Sequence, residues 1–145
     1  MRVVLGSDHA GFHLKQTLAD HVRNAGHGVV DVGTHATESV DYPDFGAAVG
    51  RTVVAGDADL GIAVCGSGIG ICMAANKVDG VRAATVHDVT SARMARQHND
   101  ANVMCLGERF TGVQVALDAV DAFLAAAFEG GRHASRVEKI AALEE

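Results

Sequence analysis

Short apolar runs rich in β-branched residues alternate along this chain with longer stretches whose apolar positions recur every three or four residues. Val3–Leu5, closed by Gly6, forms the first run, and Phe12, Leu14, Leu18 and Val22 then repeat at helical spacing. Val29–Val32 predicts a second strand, and Tyr42–Val54 predicts a helix with Pro43 in its first turn, where a missing N–H costs nothing. Leu60–Val64 reads as the third strand, followed by the loop Cys65–Gly70 and a short helix over Ile71–Asn76. A strand at Arg82–Val86, a helix at Val89–His98, a strand at Val103–Leu106 and a helix at Gly112–Phe128 complete the pattern. After the break at Gly130-Gly131, Val137, Ile140 and Leu143 mark one more helix.

Strands that alternate with helices at this spacing predict β-α-β units and a five-stranded parallel sheet covered on both faces. Ligands bind such sheets beyond the carboxyl ends of the strands. Those ends are Gly6–His9, Val32–Thr34, Cys65–Gly70, Thr85–Asp88 and Gly107–Arg109. At 145 residues the chain is read as one domain, 1–145. The appended C-terminal helix, coming after a glycine pair, is expected to pack on a neighbour, so a homodimer is expected.

Composition narrows the functional classes. With 48% hydrophobic residues and a single proline, the chain has the makings of a packed core. A formal charge of −6 without a basic stripe argues against nucleic acid as a partner. No apolar segment approaches the length needed to cross a bilayer, so no membrane association is expected. Cysteines at 65, 72 and 105 are odd in number and lack Cys-x-x-Cys spacing, which favours a reducing compartment and a cytoplasmic location.

The loop Cys65-Gly66-Ser67-Gly68-Ile69-Gly70 follows an apolar strand and opens a helix, so its backbone N–H groups can converge on an anionic oxygen. A dinucleotide fingerprint would need glycine at position 71, where the sequence has Ile71, and would follow the first strand rather than the third. Cys65 stands at the strand-to-helix junction, where backbone dipoles favour a thiolate, and is a candidate base. Cys72 and Cys105 read as small buried hydrophobes.

Asp8-His9 places a carboxylate and an imidazole at the end of the first strand, while Asp8 also suits a helix N-cap. His9 and His13 have the i, i+4 spacing of metal ligands but no third ligand in a recognised pattern, and no metal is expected. His98 ends the fourth helix, where a cap is the plain alternative to a functional role. Arg132 and Arg136, four apart, are expected on one helix face, able to share a phosphate or simply to meet solvent. His21, His27 and His35 read as surface or loop residues, and His87 is open between the two readings.

These segments together resemble the ribose-5-phosphate isomerase B family, which includes galactose-6-phosphate isomerase subunits. The marks are Gly6-Ser7-Asp8-His9-Ala10-Gly11-Phe12, Asp41-Tyr42-Pro43, the Cys65–Gly70 loop, Ala74-Ala75-Asn76-Lys77, Arg96-Gln97-His98-Asn99, Gly107-Glu108-Arg109 and Glu129-Gly130-Gly131-Arg132-His133. Their joint order spans nearly the whole chain.

The resemblance implies a Rossmann-like three-layer α/β/α fold, dimers or pairs of dimers whose active sites are shared between subunits, and no cofactor. It implies that Cys65 moves the proton between C2 and C1 of an open-chain phosphorylated sugar. Ser67 and the amides of Gly66, Gly68, Ile69 and Gly70 would stabilise the enediolate, and Asp8 and His98 would serve ring opening and proton shuttling. His9, Arg109, Arg132 and Arg136 would hold the phosphate, and Tyr42 and Asn99 would line the sugar pocket.

Ile71 stands where another branch carries a glutamate base, which places this chain with the cysteine-dependent branch. The implied reaction interconverts ribose 5-phosphate and ribulose 5-phosphate in pentose phosphate metabolism. Allose 6-phosphate, galactose 6-phosphate and a tetrulose phosphate are alternatives. From a different class, a nucleotide-binding or thiol-sensing module without turnover is the remaining rival.

Overall fold

A computed structural model describes residues 1–144. Five parallel strands, β1 (Arg2–Ser7), β2 (Gly28–Asp31), β3 (Leu60–Cys65), β4 (Ala83–Thr85) and β5 (Val103–Gly107), lie in the order β2-β1-β3-β5-β4. Helices α1 (Phe12–Asn24), α2 (Tyr42–Val54), α3 (Gly70–Ala75), α4 (Val89–Asn99) and α5 (Val113–Ala125) connect or follow them. A 3-10 turn at Gly131–His133 then leads into α6 (Ala134–Ala141).

Strand alternation divides the core into two layers, because successive side chains face opposite sides of a sheet. Val3, Leu5, Ile62, Val64, Met104 and Leu106 pack with Leu14, Leu18, Ala92, Ala95, Val120 and Phe123, so α1, α4 and α5 cover one face. Val4, Ala63, Cys65, Val103 and Cys105 pack with Val49, Ile71, Cys72 and Ala75, so α2 and α3 cover the other. The expected three-layer α/β/α architecture and parallel sheet are therefore present.

Most element boundaries shift by a residue or two. The largest difference is at the end of α5: Gly112–Phe128 was expected, but the helix stops at Ala125 and Ala126 turns to extended backbone. Arg132 lies in the 3-10 turn, so it does not share one helix with Arg136 as the spacing suggested. α4 ends not on a His98 cap but on Asp100, whose left-handed φ of 47° closes the helix with N–H bonds to Ala95 and Arg96 carbonyls. No residue of α6 is buried, and Ile140 and Leu143 are 44% and 82% exposed.

Candidate active site

The order β2-β1-β3 makes the chain leave β1 in one direction and arrive at β3 on the other side. Beyond the carboxyl ends of these two strands opens the crevice where doubly wound sheets bind ligands. Ser7 pairs with Val64, which puts Asp8 beside Cys65, and the Asp8 amide donates to the Val64 carbonyl at 3.3 Å. A cavity of about 490 Å³ lies there, lined by Asp8, His9, Tyr42, Cys65, Gly66, Ser67, Ile69, Gly70 and Arg109, with Ala10, Met73 and Phe110. A larger apolar cavity of about 740 Å³ runs along the β4 edge and includes Asn99, Ile140 and Leu143, but it contains none of the candidate acids, bases or nucleophiles.

Cys65 is 4% exposed and is among the residues that line the cavity. The Gly68 amide donates to Cys65 Sγ at 3.1 Å, which fixes the sulfur at the start of the loop. The expectation that every loop amide faces a ligand needs correcting in two places. Gly68 N–H is engaged by the sulfur, and Ile69 N–H donates to Ser67 Oγ at 3.2 Å.

The loop is held from several sides. The Gly68 carbonyl accepts from Thr85 Oγ1 at 2.7 Å, the Gly66 carbonyl from the Arg109 amide at 3.0 Å, and the Cys65 carbonyl from the Glu108 amide at 2.9 Å. Gly68 has φ +74°, a conformation that glycine adopts without penalty. Gly70 lies so close beneath the Tyr42 ring that a methyl group there would collide with it.

Asp8 is 6% exposed and stands at the cavity. The N-cap of α1 is Gly11, without a side-chain cap bond, so Asp8 is not the cap its position suggested, and its Oδ1 instead accepts from the Gly11 amide at 3.0 Å in the turn before the helix. His9 Nδ1 lies 3.1 Å from the Val40 amide and 3.2 Å from the Val40 carbonyl. Nδ1 accepts from the amide when the ring proton sits on Nε2 and donates to the carbonyl when Nδ1 itself carries a proton. In both states Nε2 is left for another partner. His13 is exposed on α1.

His98, Asn99, Arg132 and Arg136 are not brought to this cavity. In a parallel α/β sheet the helices run against the strands, so residues ending α4 sit at the amino edge, away from Cys65. Eleven residues of α4 span roughly 16 Å, which sets the scale of that separation. The end of α5 arrives at the same edge, where Glu129 N–H donates to the Gln97 carbonyl at 3.0 Å. His98 stacks on His133 there, ring centroids 4.5 Å apart and planes 13° from parallel, and Glu129 completes a group within 4.8 Å.

Burial holds the His133 imidazole below its ordinary 6.5, and the charges of Arg132, His98 and Arg136 act in the same direction against Glu129. The folded chain therefore binds this proton less readily than the unfolded one. Stability is complete above about pH 6.5 and falls as pH drops from there towards the lower folded-state value. Tm measured from about pH 7.5 to 5 is expected to fall more steeply in the wild type than in His133→Gln. Equal slopes would refute this.

Cys72 and Cys105 are buried as expected, in the layer covered by α2 and α3, but they are more than small hydrophobes. A hydrogen bond from Cys105 lowers Cys72 to about 6, with Thr85 adding to the effect, and the same bond together with burial pushes Cys105 up. Sequence reading also missed Phe110 and Met73, exposed apolar residues at the cavity, and Glu108, whose Oε1 accepts from Leu14 N at 2.8 Å near the start of α1. Glu108 stands in the Gly-Glu-Arg segment at a strand end, a signal that pointed to the region but not to this bond.

Fold and site together define a doubly wound α/β protein with an amide-bonded cysteine and an acidic partner at the switch point. The Ribose/Galactose Isomerase family model matches residues 3–140, and the chain belongs to that family. It is 44% identical over 144 residues to ribose-5-phosphate isomerase B of Escherichia coli, covering 99% of this chain and 97% of that one. The structure of Clostridium thermocellum ribose-5-phosphate isomerase B superposes with a TM-score of 0.98 at 53% identity, covering 99% and 97% of the two chains. The Mycoplasma genitalium enzyme with bound ribulose-5-phosphate superposes at 0.94 with 46% identity, covering 99% and 95%.

Proposed function

We propose that this chain is an aldose-ketose isomerase that interconverts ribose 5-phosphate and ribulose 5-phosphate, with Cys65 as the base. The observation that carries the reading is the bond from the Gly68 amide to Cys65 Sγ beside buried Asp8, in the cavity at the β1/β3 switch point. Family membership and the ribulose-5-phosphate complex of the Mycoplasma genitalium relative support the substrate.

In this scheme the Cys65 thiolate takes the C2 proton of the open-chain aldose, and the electrons move onto the carbonyl oxygen to give an enediolate. The proton returns to C1 and yields the ketose. Donors aimed at the developing oxyanion are each worth roughly 2.7–4 kcal/mol, and Ser67 with the loop amides of Gly66 and Gly70 fills that role. Asp8 moves protons at the sugar oxygens, Tyr42 flanks the sugar, and His9 and Arg109 meet the phosphate. A coupled assay over four-, five- and six-carbon phosphosugars tests the assignment. The highest kcat/KM is expected with ribose 5-phosphate, and a six-carbon or four-carbon preference would overturn it.

The working enzyme is a homodimer, the smallest assembly in which His98, Asn99, Arg132 and Arg136 of one copy complete the Cys65 cavity of another. Support comes from the two half-sites standing at opposite sheet edges, from α6 with no buried residue, and from exposed Ile69, Met73 and Phe110 around the cavity. Three free, buried cysteines fit a cytoplasmic setting.

Inactive Cys65→Ala and Arg132→Ala chains, unfolded and reassociated together, test the sharing. A two-fold interface leaves one intact site in each mixed dimer, so random pairing restores about a quarter of wild-type turnover. No recovery despite mixed dimers would refute it.

A further inference from the structure

Lys15 is an anomaly in the core of this molecule. It lies on the buried face of α1 with Leu14, Leu18, Ala19 and Val22, and its side chain is 0% exposed. An ammonium in such a place is costly unless it is paired and hydrogen-bonded, and a methionine or leucine would fill the same volume without that cost.

Its hydrogen-bond partners belong to one segment, 31–34. Lys15 Nζ donates to Asp31 Oδ1 at 2.7 Å and to the Thr34 carbonyl at 2.5 Å, and it stands 5.5 Å from the Phe12 ring centroid. Asp31 Oδ1 also accepts from the Gly33 amide at 2.9 Å. Gly33 and Thr34 are in turn bonded to Ser7, through Ser7 N to the Gly33 carbonyl and Thr34 N to the Ser7 carbonyl, each at 2.7 Å. The ammonium thus fixes the point at which the chain leaves the sheet.

That segment then runs to Val40, whose amide and carbonyl hold His9 Nδ1, and to Tyr42, which packs over Gly70. We infer that Lys15 is a positioning residue: through Asp31 and the Thr34 carbonyl it sets the 34–42 segment so that Val40 orients His9 towards the anionic end of the substrate. Among the described residues Lys15 Nζ bonds only Asp31 and the Thr34 carbonyl, neither of which lines the cavity, so its tie to the chemistry runs through this backbone. The inference rests on the site reading above, in which His9 meets the phosphate while Cys65 moves the proton.

An interaction that holds the non-reacting end of a substrate equally in ground and transition states sets KM rather than kcat. Lys15→Met is therefore expected to raise KM for ribose 5-phosphate about ten-fold, with kcat within about two-fold of wild type. The Kd of inorganic phosphate, read by titration calorimetry, should rise by a similar factor, while the rate of Cys65 alkylation by iodoacetamide stays the same. A folded Lys15→Met protein with unchanged KM and phosphate Kd would overturn the inference. So would a joint loss of kcat and Cys65 reactivity, which would mean general damage.

If Lys15→Met does not fold, Asp31→Asn loosens the same tie from a residue whose side chain is 26% exposed. A rise of about two- to five-fold in KM and phosphate Kd with unchanged kcat supports the inference, and no rise in either overturns it. A wild-type protein that binds phosphate but does not turn over ribose 5-phosphate would refute the proposed function, while the calorimetric comparison would still decide the role of Lys15.

Discussion

Cys65→Ala is expected to keep the fold and lose roughly 10²- to 10⁴-fold in kcat for ribose 5-phosphate, the usual contribution of a positioned proton-transfer group. The side chain is small and nearly buried, and its deletion leaves the Gly68 amide without its sulfur acceptor, a cost of about 1 kcal/mol. Circular dichroism should therefore be unchanged and Tm only slightly lower. KM should move little, because the groups assigned to the phosphate are elsewhere in the cavity. Cys72→Ala offers the contrast: it removes a thiol from the same core layer, yet turnover should remain of the same order as wild type. Near-wild-type turnover by Cys65→Ala would remove the assigned base from the mechanism.

Gly107→Ala should be nearly as damaging, for a steric reason. A methyl group on Gly107 would stand 2.5 Å from the Ser67 carbonyl carbon and oxygen and 2.8 Å from its Cα, all of them backbone atoms that cannot rotate away. Either β5 or the Cys65–Gly70 loop must move. Overpacking of this kind costs about 1–3 kcal/mol, so Tm should fall by several degrees.

The effect on catalysis should be larger than the effect on stability. Displacing Ser67 by about 1 Å moves the enediolate donors relative to the sulfur, and misplacement on that scale can cost about 100-fold in rate. Gly112→Ala serves as the control, since no atom lies within 4 Å of the added methyl group. Its kcat/KM should match wild type. Equal activities for Gly107→Ala and wild type would show that the loop tolerates displacement.

The switch-point half of the site was legible in the sequence because its residues lie on strand ends, and strand ends in a parallel sheet converge. Asp8, Cys65 and Arg109 follow three short apolar runs, and period and register bring them together. His98, Asn99, Arg132 and Arg136 follow helices or turns on the opposite edge, so periodicity within one chain gave no reason to join them to Cys65; only the resemblance did.

Local chemistry decided the other differences. Asp100 took the cap of α4 because its backbone adopted the left-handed conformation, which spacing alone does not reveal. Nothing in the sequence singled out Lys15, because its burial depends on Asp31 and Thr34, which are remote in sequence. The thiol pair of Cys72 and Cys105 likewise needs α3 laid across β5.

The most direct test of the central claim is peptide mapping of iodoacetamide alkylation, followed over time with isomerase activity, with and without ribulose 5-phosphate. Activity should decline in step with carboxamidomethylation of Cys65 whatever the state of Cys72, the phosphosugar should slow both, and Cys105, fully buried with its thiol pushed up, should react last. Full turnover by protein alkylated at Cys65, or loss of turnover while Cys65 is unmodified, would contradict the account.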